Sequence, residues 1–342
     1  MLKITMFSQA DKVKGQGVGS AYLELIKMLR KKFPNEFLIR INSWKASDIS
    51  HYHTVNFSYY LSTFLTSIRG VKIGYVHFLP ETLRGSIELF GPFQKLFDWY
   101  VLSFYRRMDE LVVVNPSFIP ALIEAGCDEN KITYIPNFVT QEVFYEQSDN
   151  QKVKFREELG IKPEQFVVLG VGQIQKRKGL DDFIQLAKDN PELLFIWAGG
   201  FSFGKMTDGY QEYEKIYQNP PHNLLFPGII DRETVAAYYN SANVFLLPSY
   251  NELFPMSILE AFNCGTPVMV RELELYQSVI AGYYIGCEDR SAMEKALYDL
   301  KESTQEQDKW KKQSVKAAAY YSEENVSKIW QTYYHRMVEK YR

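Results

Sequence analysis

The segment "PSYNELFPMSILEAFNCGTPV", residues 248–268, sets two glutamates eight positions apart, Glu252 and Glu260, on either side of Pro255. Proline is tolerated in the first turn of a helix, where its missing N–H has no partner to lose. Pro255 is therefore expected to open a helix through Ile258, Leu259, Ala261 and Phe262. Gly265 and Pro267 stop that helix, and the apolar "PVMV" after it has the length of a buried strand. Glu252 then sits in the loop leaving the strand of "ANVFLLPS", while Glu260 lies about two turns into the helix, roughly 8 Å further along. Carboxylates so separated form no acid/base dyad. They are two hydrogen-bond acceptors flanking a helix N-terminus, and such an end favours an anion.

Cations are available nearby in kind. In "GVGQIQKRKGLDDF" a strand is followed by a turn carrying Lys176, Arg177 and Lys178 and then by a helix, so the turn falls at the strand's carboxyl end, where open α/β sheets bind ligands. The segment lacks the G-x-x-x-x-G-K-[ST] of a P-loop, so ATP hydrolysis is not implied. With the helix N-terminus at Pro255 to Ser257 it makes a diphosphate pocket in which fixed cations and amide dipoles carry leaving-group charge without a metal. In the first half, "KGQGVGSAYLEL" brings Gly15, Gly17 and Gly19 to another strand-to-helix turn, whose backbone N–H groups suit a phosphate. Ser20 stands where a dinucleotide fingerprint needs glycine or alanine, which disfavours a nicotinamide cofactor. His77 ends the apolar run "VKIGYVH", again a strand end. Asp48, His51 and His53 have spacings a metal could use, with nothing else to support one.

The elements that must position these residues follow from the hydrophobic pattern. "KITMF", "FLIRI", "VKIGYVH" and "LVVV", then "FVVLGV", "LLFIWAG", "NVFLLP" and "PVMV", alternate with helical periodicity, which predicts βαβ units and parallel sheets. The polar "TQEVFYEQSDNQK", residues 140–152, reads as the linker, giving domains at 1–150 and 151–321 with a cleft between them. Residues 322–342 read as one helix with Val326, Ile329, Trp330 and Tyr333 on one face, packing back across the linker.

Composition bounds the function. The chain of 342 residues is 46% hydrophobic with mixed charge, which excludes a disordered protein and allows two full cores. Cys127, Cys264 and Cys287 are too few and too far apart for a disulfide framework or a metal site, and a reducing cytoplasm is expected. No apolar run approaches a membrane span, and "MLKITMFSQ" reads as a strand rather than a signal peptide. Residues 1–107 hold 15 Lys or Arg against 7 Asp or Glu, an excess of +8, and the remainder carries −10. The front half is thus expected to meet something anionic: a nucleic acid, a phosphorylated ligand or anionic lipid.

Taken in order, "GQGVGSAYLEL", "YVHF", "DELVVVNPSF", "ITYIPNFV", "VGQIQKRKGLDDF", "WAGG" and the opening segment with its E-x7-E spacing resemble the retaining glycosyltransferases of family 4 over nearly the whole chain. The resemblance implies the α/β GT-B fold, two Rossmann-like parallel-sheet domains facing across a cleft. It implies that His77, Glu252 and Lys178 act in catalysis: His77 touches the transferred sugar, Glu252 reaches its hydroxyls and Lys178 pairs with the donor diphosphate. Gly17, Gly19, Gln173, Arg177, Lys178, Ile230, Glu252, Phe254, Met256, Ser257 and Glu260 would bind the nucleotide sugar, with Glu260 on the ribose diol. Gln173 departs from the usual arginine of the family, a cation that Arg177 would replace, and Leu253 departs from a common glycine.

Within the family, "AGGFSFGKMTDGY" and "GYVHFLPETL" look like bacterial enzymes that glycosylate diacylglycerol lipids. The expected partners are therefore UDP-glucose or UDP-galactose, a glycosyl-diacylglycerol and an anionic membrane surface, with no nucleic acid, no cofactor and no metal. The expected location is cytoplasmic, peripheral on the inner face of the cell membrane. "PFQKLFDWYVLSFYRRM" supports this with a stripe of Phe93, Leu96, Phe97, Tyr100, Val101 and Phe104 beside Trp99, Tyr105, Arg106 and Arg107, and "NFSYYLSTFLTSIRG" is a second candidate. The rival expectations are a family member acting on a polysaccharide or other soluble acceptor, and a non-catalytic nucleotide-sugar-binding module.

Overall fold

The computed structural model describes residues 1–10, 17–80, 91–201, 204, 207 and 209–342, with the backbone alone at 17 and 18. It divides into two compact units, Met1–Phe138 with Glu323–Arg342, and Val139–Ser322. The division falls before the polar 140–152 segment. The end of that segment is helical, because Ser148 and Gln151 form a capping box that starts the helix Asp149–Glu158.

The first unit is built on β1 (Leu2–Phe7), β2 (Phe37–Ile41), β3 (Ile49–Tyr52), β4 (Val71–Val76), β5 (Glu110–Val113) and β6 (Ile132–Tyr134). They form one sheet in the order β2-β1-β3-β4-β5-β6, all pairs parallel. The second is built on β7 (Val167–Val171), β8 (Leu194–Ala198), β9 (Leu224–Gly228), β10 (Val244–Leu247), β11 (Val268–Arg271) and β12 (Ile285–Cys287). Its order is β12-β11-β10-β7-β8-β9, also parallel throughout. Parallel strands are covered on both faces, which is why β8 (LFIWA) and β10 (VFLL) are apolar and buried along their whole length.

Strand order reverses between β1 and β3 in one sheet and between β10 and β7 in the other. At such a point the connections leave in opposite directions and open a crevice at the strands' carboxyl ends. Between β7 and β8, the helix Leu180–Asp189 buries Leu180, Phe183, Ile184 and Ala187 on the sheet, at helical spacing, with Asp181 and Asp182 at its positive end.

The C-terminal helix Glu323–Lys340 belongs with the first unit. It buries Val326, Trp330, Tyr333, Tyr334 and Met337, while Ile329 is 40% exposed, so the face is rotated away from the one expected. Tyr334 and Phe37 meet edge to face at 5.7 Å, and Lys32 pairs with Glu324 at 2.5 Å.

Candidate functional site

The site begins where β7 and β10 end side by side. After β7 the chain runs through Gly172 and Gln173 into a short 3-10 turn, Lys176–Lys178, and then into the helix at Leu180. After β10 it runs through Pro248 to Glu252 and into the helix Met256–Asn263. Two glycines let these loops close on the sheet. Gly179 has φ +71°, and a Cβ there would lie 2.1 Å from the Pro248 carbonyl oxygen; at Gly199, φ +151°, a Cβ would lie 1.8 Å from that of Gly172.

The approach joins side chains far apart in sequence. Lys178 and Glu252, both buried, form an ion pair through Nζ and Oε1. Ser249 Oγ donates to the same Oε1 at 2.7 Å, and Arg177 Nη1 lies 3.9 Å from Oε2. Burial pushes the Lys178 ammonium below the ordinary lysine value; Glu252 opposes the shift and Arg177 adds to it. The pair is thus a desolvated cation and anion held by one another, a costly arrangement in which removing one partner strands the other.

Arg177 is itself aimed by its surroundings. Its Nε donates to Gln175 Oε1 at 3.0 Å, Gln175 Nε2 donates to Gln173 Oε1 at 2.7 Å, and Arg177 Nη1 donates to the Asn251 carbonyl at 3.3 Å. Gln173, where the family resemblance leads one to expect a cation, is therefore connected to Arg177 by a hydrogen-bond chain. The 248–252 loop is braced from its other side. Arg271 pairs with Asp182, donates from Nε to the Pro248 carbonyl at 3.1 Å and lies 4.3 Å over the Tyr250 ring, whose hydroxyl donates to Asp182 at 2.6 Å.

Pro255 is the N-cap of the Met256–Asn263 helix. Glu260 is the fifth helical residue, just over one turn inside and about 6 Å along rather than the two turns expected from sequence. It accepts from the buried Tyr239 hydroxyl at 3.1 Å. The helix ends in a Schellman arrangement: Gly265, φ +70°, donates to the Phe262 carbonyl at 2.9 Å, and Thr266 donates to that of Ala261 at 3.0 Å. Phe254 and Met256 are buried, with Phe254 on Tyr321 at 5.9 Å, and Ile230 is half-buried after β9.

Of the expected residues, the structure brings Gln173, Arg177, Lys178 and Glu252 into one cluster, with Met256, Ser257 and Glu260 on the helix that follows. Gly17, Gly19 and His77 belong to the other unit. Gly17 is the first residue of the helix Gly17–Lys32, Gly19 is buried in its first turn, and Gly15 lies outside the described residues, as do parts of "FSFGKMTDGY" and "FLPETL". His77 directly follows β4 and is buried among aromatic rings. Sequence reasoning missed Gln175, Ser249, Asp182 and Arg271. "PS" at 248–249 carried a turn signal only, and Asp182 and Arg271 are charges whose partners lie 89 residues apart.

Among the described residues, no group of three His, Cys, Asp or Glu is arranged to hold a metal ion, Asp48, His51 and His53 included. Nor is any helix among them long and apolar enough to cross a membrane.

Two doubly wound parallel sheets, one with a buried Lys–Glu pair and an arginine at its crevice, define a two-domain α/β architecture with a ligand crevice at the strands' carboxyl ends. The structure of Anabaena Alr3699/HepE in complex with UDP and glucose superposes with a TM-score of 0.74 over 97% of this chain and 99% of that one, at 15% identity. Residues 151–317 match the family model "Glycosyl transferases group 1". The alpha-galactosylglucosyldiacylglycerol synthase of Streptococcus pneumoniae is 46% identical over 335 residues, 98% of this chain and 90% of the relative. The processive diacylglycerol alpha-glucosyltransferase of Acholeplasma laidlawii is 28% identical over 187 residues, 52% of this chain and 55% of the relative. The chain belongs to the group 1 glycosyltransferases and is a hexosyltransferase.

Proposed function

We propose that the enzyme moves glucose or galactose from its UDP-sugar, with retention of configuration and without a metal, to a glycosyl-diacylglycerol, the acceptor being monoglucosyl-diacylglycerol. The observation that carries this reading is the Lys178–Glu252 pair with Arg177 at the crevice between β7 and β10. The names of the 46%- and 28%-identical relatives support the lipid acceptor, and the UDP bound in the structural neighbour supports the donor.

In this reading Lys178, Arg177 and the N–H groups opening the Met256–Asn263 helix receive the donor diphosphate, and Glu252 accepts hydrogen bonds from the hexose hydroxyls. Before the donor arrives, Lys178 and Glu252 neutralise one another; the diphosphate then takes over the cation and the sugar takes over the carboxylate. The bond from the anomeric carbon to the UDP oxygen breaks and a bond to the acceptor hydroxyl forms on the same face. The acceptor proton passes to the departing phosphate oxygen, so no carboxylate nucleophile is required. Glu260 would hold the ribose diol, and His77 would touch the transferred sugar.

A lipid acceptor brings the enzyme to a membrane, and the first unit offers a surface for it. On the helices Phe57–Ser62 and Gly91–Arg106 and the turn after the former, Phe57 (67%), Phe64 (56%), Phe93 (67%), Leu96 (59%) and Trp99 (57%) are more than half exposed. The two helices are in contact, Tyr60 on Tyr100 at 5.4 Å with its hydroxyl 3.0 Å from Ser103 Oγ. The apolar stripe of the longer helix divides along its length: Phe93, Leu96 and Trp99 face out, and Val101 and Phe104 enter the core. Arg106 is exposed, whereas Arg107 lies 3.5 Å over the Phe64 ring and donates to Thr63 Oγ1 at 2.7 Å. With the basic excess of the front half, these residues favour the cytoplasmic leaflet of an anionic membrane.

The deciding experiment incubates the enzyme with monoglucosyl-diacylglycerol or diacylglycerol and each UDP-hexose, with and without excess EDTA, followed by mass and linkage analysis of the lipid. Transfer that persists in EDTA supports the reading. Transfer to a soluble acceptor alone overturns the lipid assignment, and abolition by chelator with rescue by a divalent ion overturns the diphosphate argument.

A further inference from the structure

Three histidines meet inside the first unit, and the group 1 family assignment leaves two of them without a role. His51 is the third residue of β3, His53 follows that strand and His77 follows the adjacent, parallel β4. The rings of His51 and His53 are 4.2 Å apart, and His53 and His77 join through Nδ1 and Nε2 at 3.3 Å. Tyr75 closes on the stack from 4.2 Å at His77 and 5.1 Å at His53, with Tyr22 at 4.9 Å from His53. Burial holds all three rings below the ordinary histidine value, His51 and His77 at about 3, so they are neutral at neutral pH.

A neutral imidazole carries one N–H, so the 3.3 Å contact fixes where both protons are. If His77 Nε2–H donated, His53 would carry its proton on Nε2, and that atom is buried with no hydrogen-bond partner among the described residues. If His53 Nδ1–H donates, its Nε2 is an unprotonated lone pair instead. Orphaned buried N–H groups are rarer and costlier than under-used acceptors. His51 follows the same rule: its Nδ1 bonds the Tyr334 hydroxyl at 2.9 Å and its buried Nε2 has no partner among the described residues.

We propose that His53 is a positioning residue: its Nδ1–H donates to His77 Nε2, which fixes His77 as the neutral Nδ1–H tautomer and leaves that N–H as the donor His77 presents to a hydroxyl oxygen of the transferred hexose. The role at the hexose rests on the reading of His77 given above; the tautomer does not. An isolated neutral imidazole prefers the other tautomer, so the assignment is one the protein has to impose.

The test is a long-range proton–nitrogen correlation on the full-length, 15N-histidine-labelled enzyme, with steady-state kinetics alongside. In the parent, His77 is expected with a protonated Nδ1 and a bare Nε2. His53→Leu should shift His77 toward the Nε2–H form and lower kcat about 10-fold, the loss of one oriented hydrogen bond, with KM for the UDP-hexose little changed. His53→Asn, whose amide nitrogen can stand near the lost Nδ1, should restore both the tautomer and most of kcat. A parent spectrum with His77 protonated at Nε2 overturns the proposal without any variant, as does His53→Asn behaving like His53→Leu in both readouts. If His77→Ala keeps full transfer while the parent spectrum is as expected, the reading of His77 at the sugar fails and the assigned tautomer stands.

Discussion

Both sheets hold ionisable side chains at the carboxyl ends of neighbouring strands, and they hold them in opposite states. Beyond β7 and β10, Lys178 and Glu252 are buried as charges, each supplying the other's counter-ion, with Arg177 and Ser249 beside them. Beyond β3 and β4, His53 and His77 are buried with no counter-ion among the described residues, stacked on aromatic rings and kept neutral. Charge held by a partner can be handed to a ligand that brings its own charges, which is what a diphosphate sugar does. Neutral rings cannot be exchanged in that way, but they keep a hydrogen-bond direction without attracting phosphate to the wrong place. One fold element thus serves two chemistries, and the difference lies in whether a counter-ion is within reach.

Removing one charge of the pair breaks the comparison most directly. Lys178→Ala should lower transfer by about 30- to 1000-fold, since a donor to developing negative charge is worth about 2 to 4 kcal/mol. It also leaves Glu252 buried without its close counter-ion, held only by Ser249 and the more distant Arg177, so the double variant with Glu252→Gln should recover stability in urea titrations while transfer stays low. Activity restored together with stability would reduce the pair to a structural one.

The two glutamates sharpen the division within the charged site. Glu252→Gln should lower kcat about 10- to 100-fold with UDP affinity nearly unchanged, whereas Glu260→Gln should weaken UDP about 10-fold in calorimetry, each by the loss of a charge-assisted hydrogen bond. Equal effects on UDP affinity would contradict the assignment of one glutamate to the sugar and the other to the nucleotide.

The neutral cluster makes its own prediction, with a definite sign. Well above the ordinary histidine value, from about pH 7.5, the rings are uncharged in folded and unfolded chains alike and add no pH dependence. As pH falls below that, the unfolded chain takes up protons that folded His51 and His77 refuse until about pH 3, so stability drops across this window. Each ring contributes up to about 1.4 kcal/mol per pH unit. His51→Phe should flatten the acid limb by one such increment, read from urea midpoints between about pH 4 and 7. An unchanged slope would mean that His51 is protonated in the folded protein.

The smallest effects belong to the surface. Trp99→Ala and Arg106→Glu should each weaken sedimentation with anionic vesicles, by about 1 kcal/mol for the charge, and the Arg106 effect should fade as salt rises. UDP affinity should not move. Arg107→Glu is expected to act mainly on stability, because its guanidinium is engaged by Phe64 and Thr63. Vesicle binding equal to the parent's in both of the first two variants would move the membrane surface elsewhere, with Lys27, Arg30, Lys31 and Lys32 the next candidates.

Much of the second sheet was legible because its strands are buried on both faces and therefore written in continuous apolar residues, as in "FVVLGV" and "NVFLLP". β3 was not. Its sequence, ISHY, is half polar, yet Ser50 and His51 are fully buried, the histidine in part under Trp330 and Tyr334 of the C-terminal helix. β9 and β12 were missed for a related reason: at the sheet's two edges these strands are only partly buried, so their residues are not continuously apolar. The helix after Pro255 was readable from its stop signals, but not the depth of Glu260 in it, since the helix begins only at Met256.

By itself the sequence determined the alternation of the apolar strands with helices, the turns that carry Arg177, Lys178 and Glu252 and, through the spacing of its motifs, the family. Those depend on local periodicity and on residues close together in the chain. Only the tertiary structure decided that Lys178 and Glu252, 74 residues apart, are one ion pair, that Arg271 and Asp182 brace the 248–252 loop, and that three histidines share a buried stack. The physical reason is that pairing and burial depend on which strands lie side by side. β7 meets β10, and β3 meets β4, through hydrogen bonds between backbones that carry no side-chain signature of their partner.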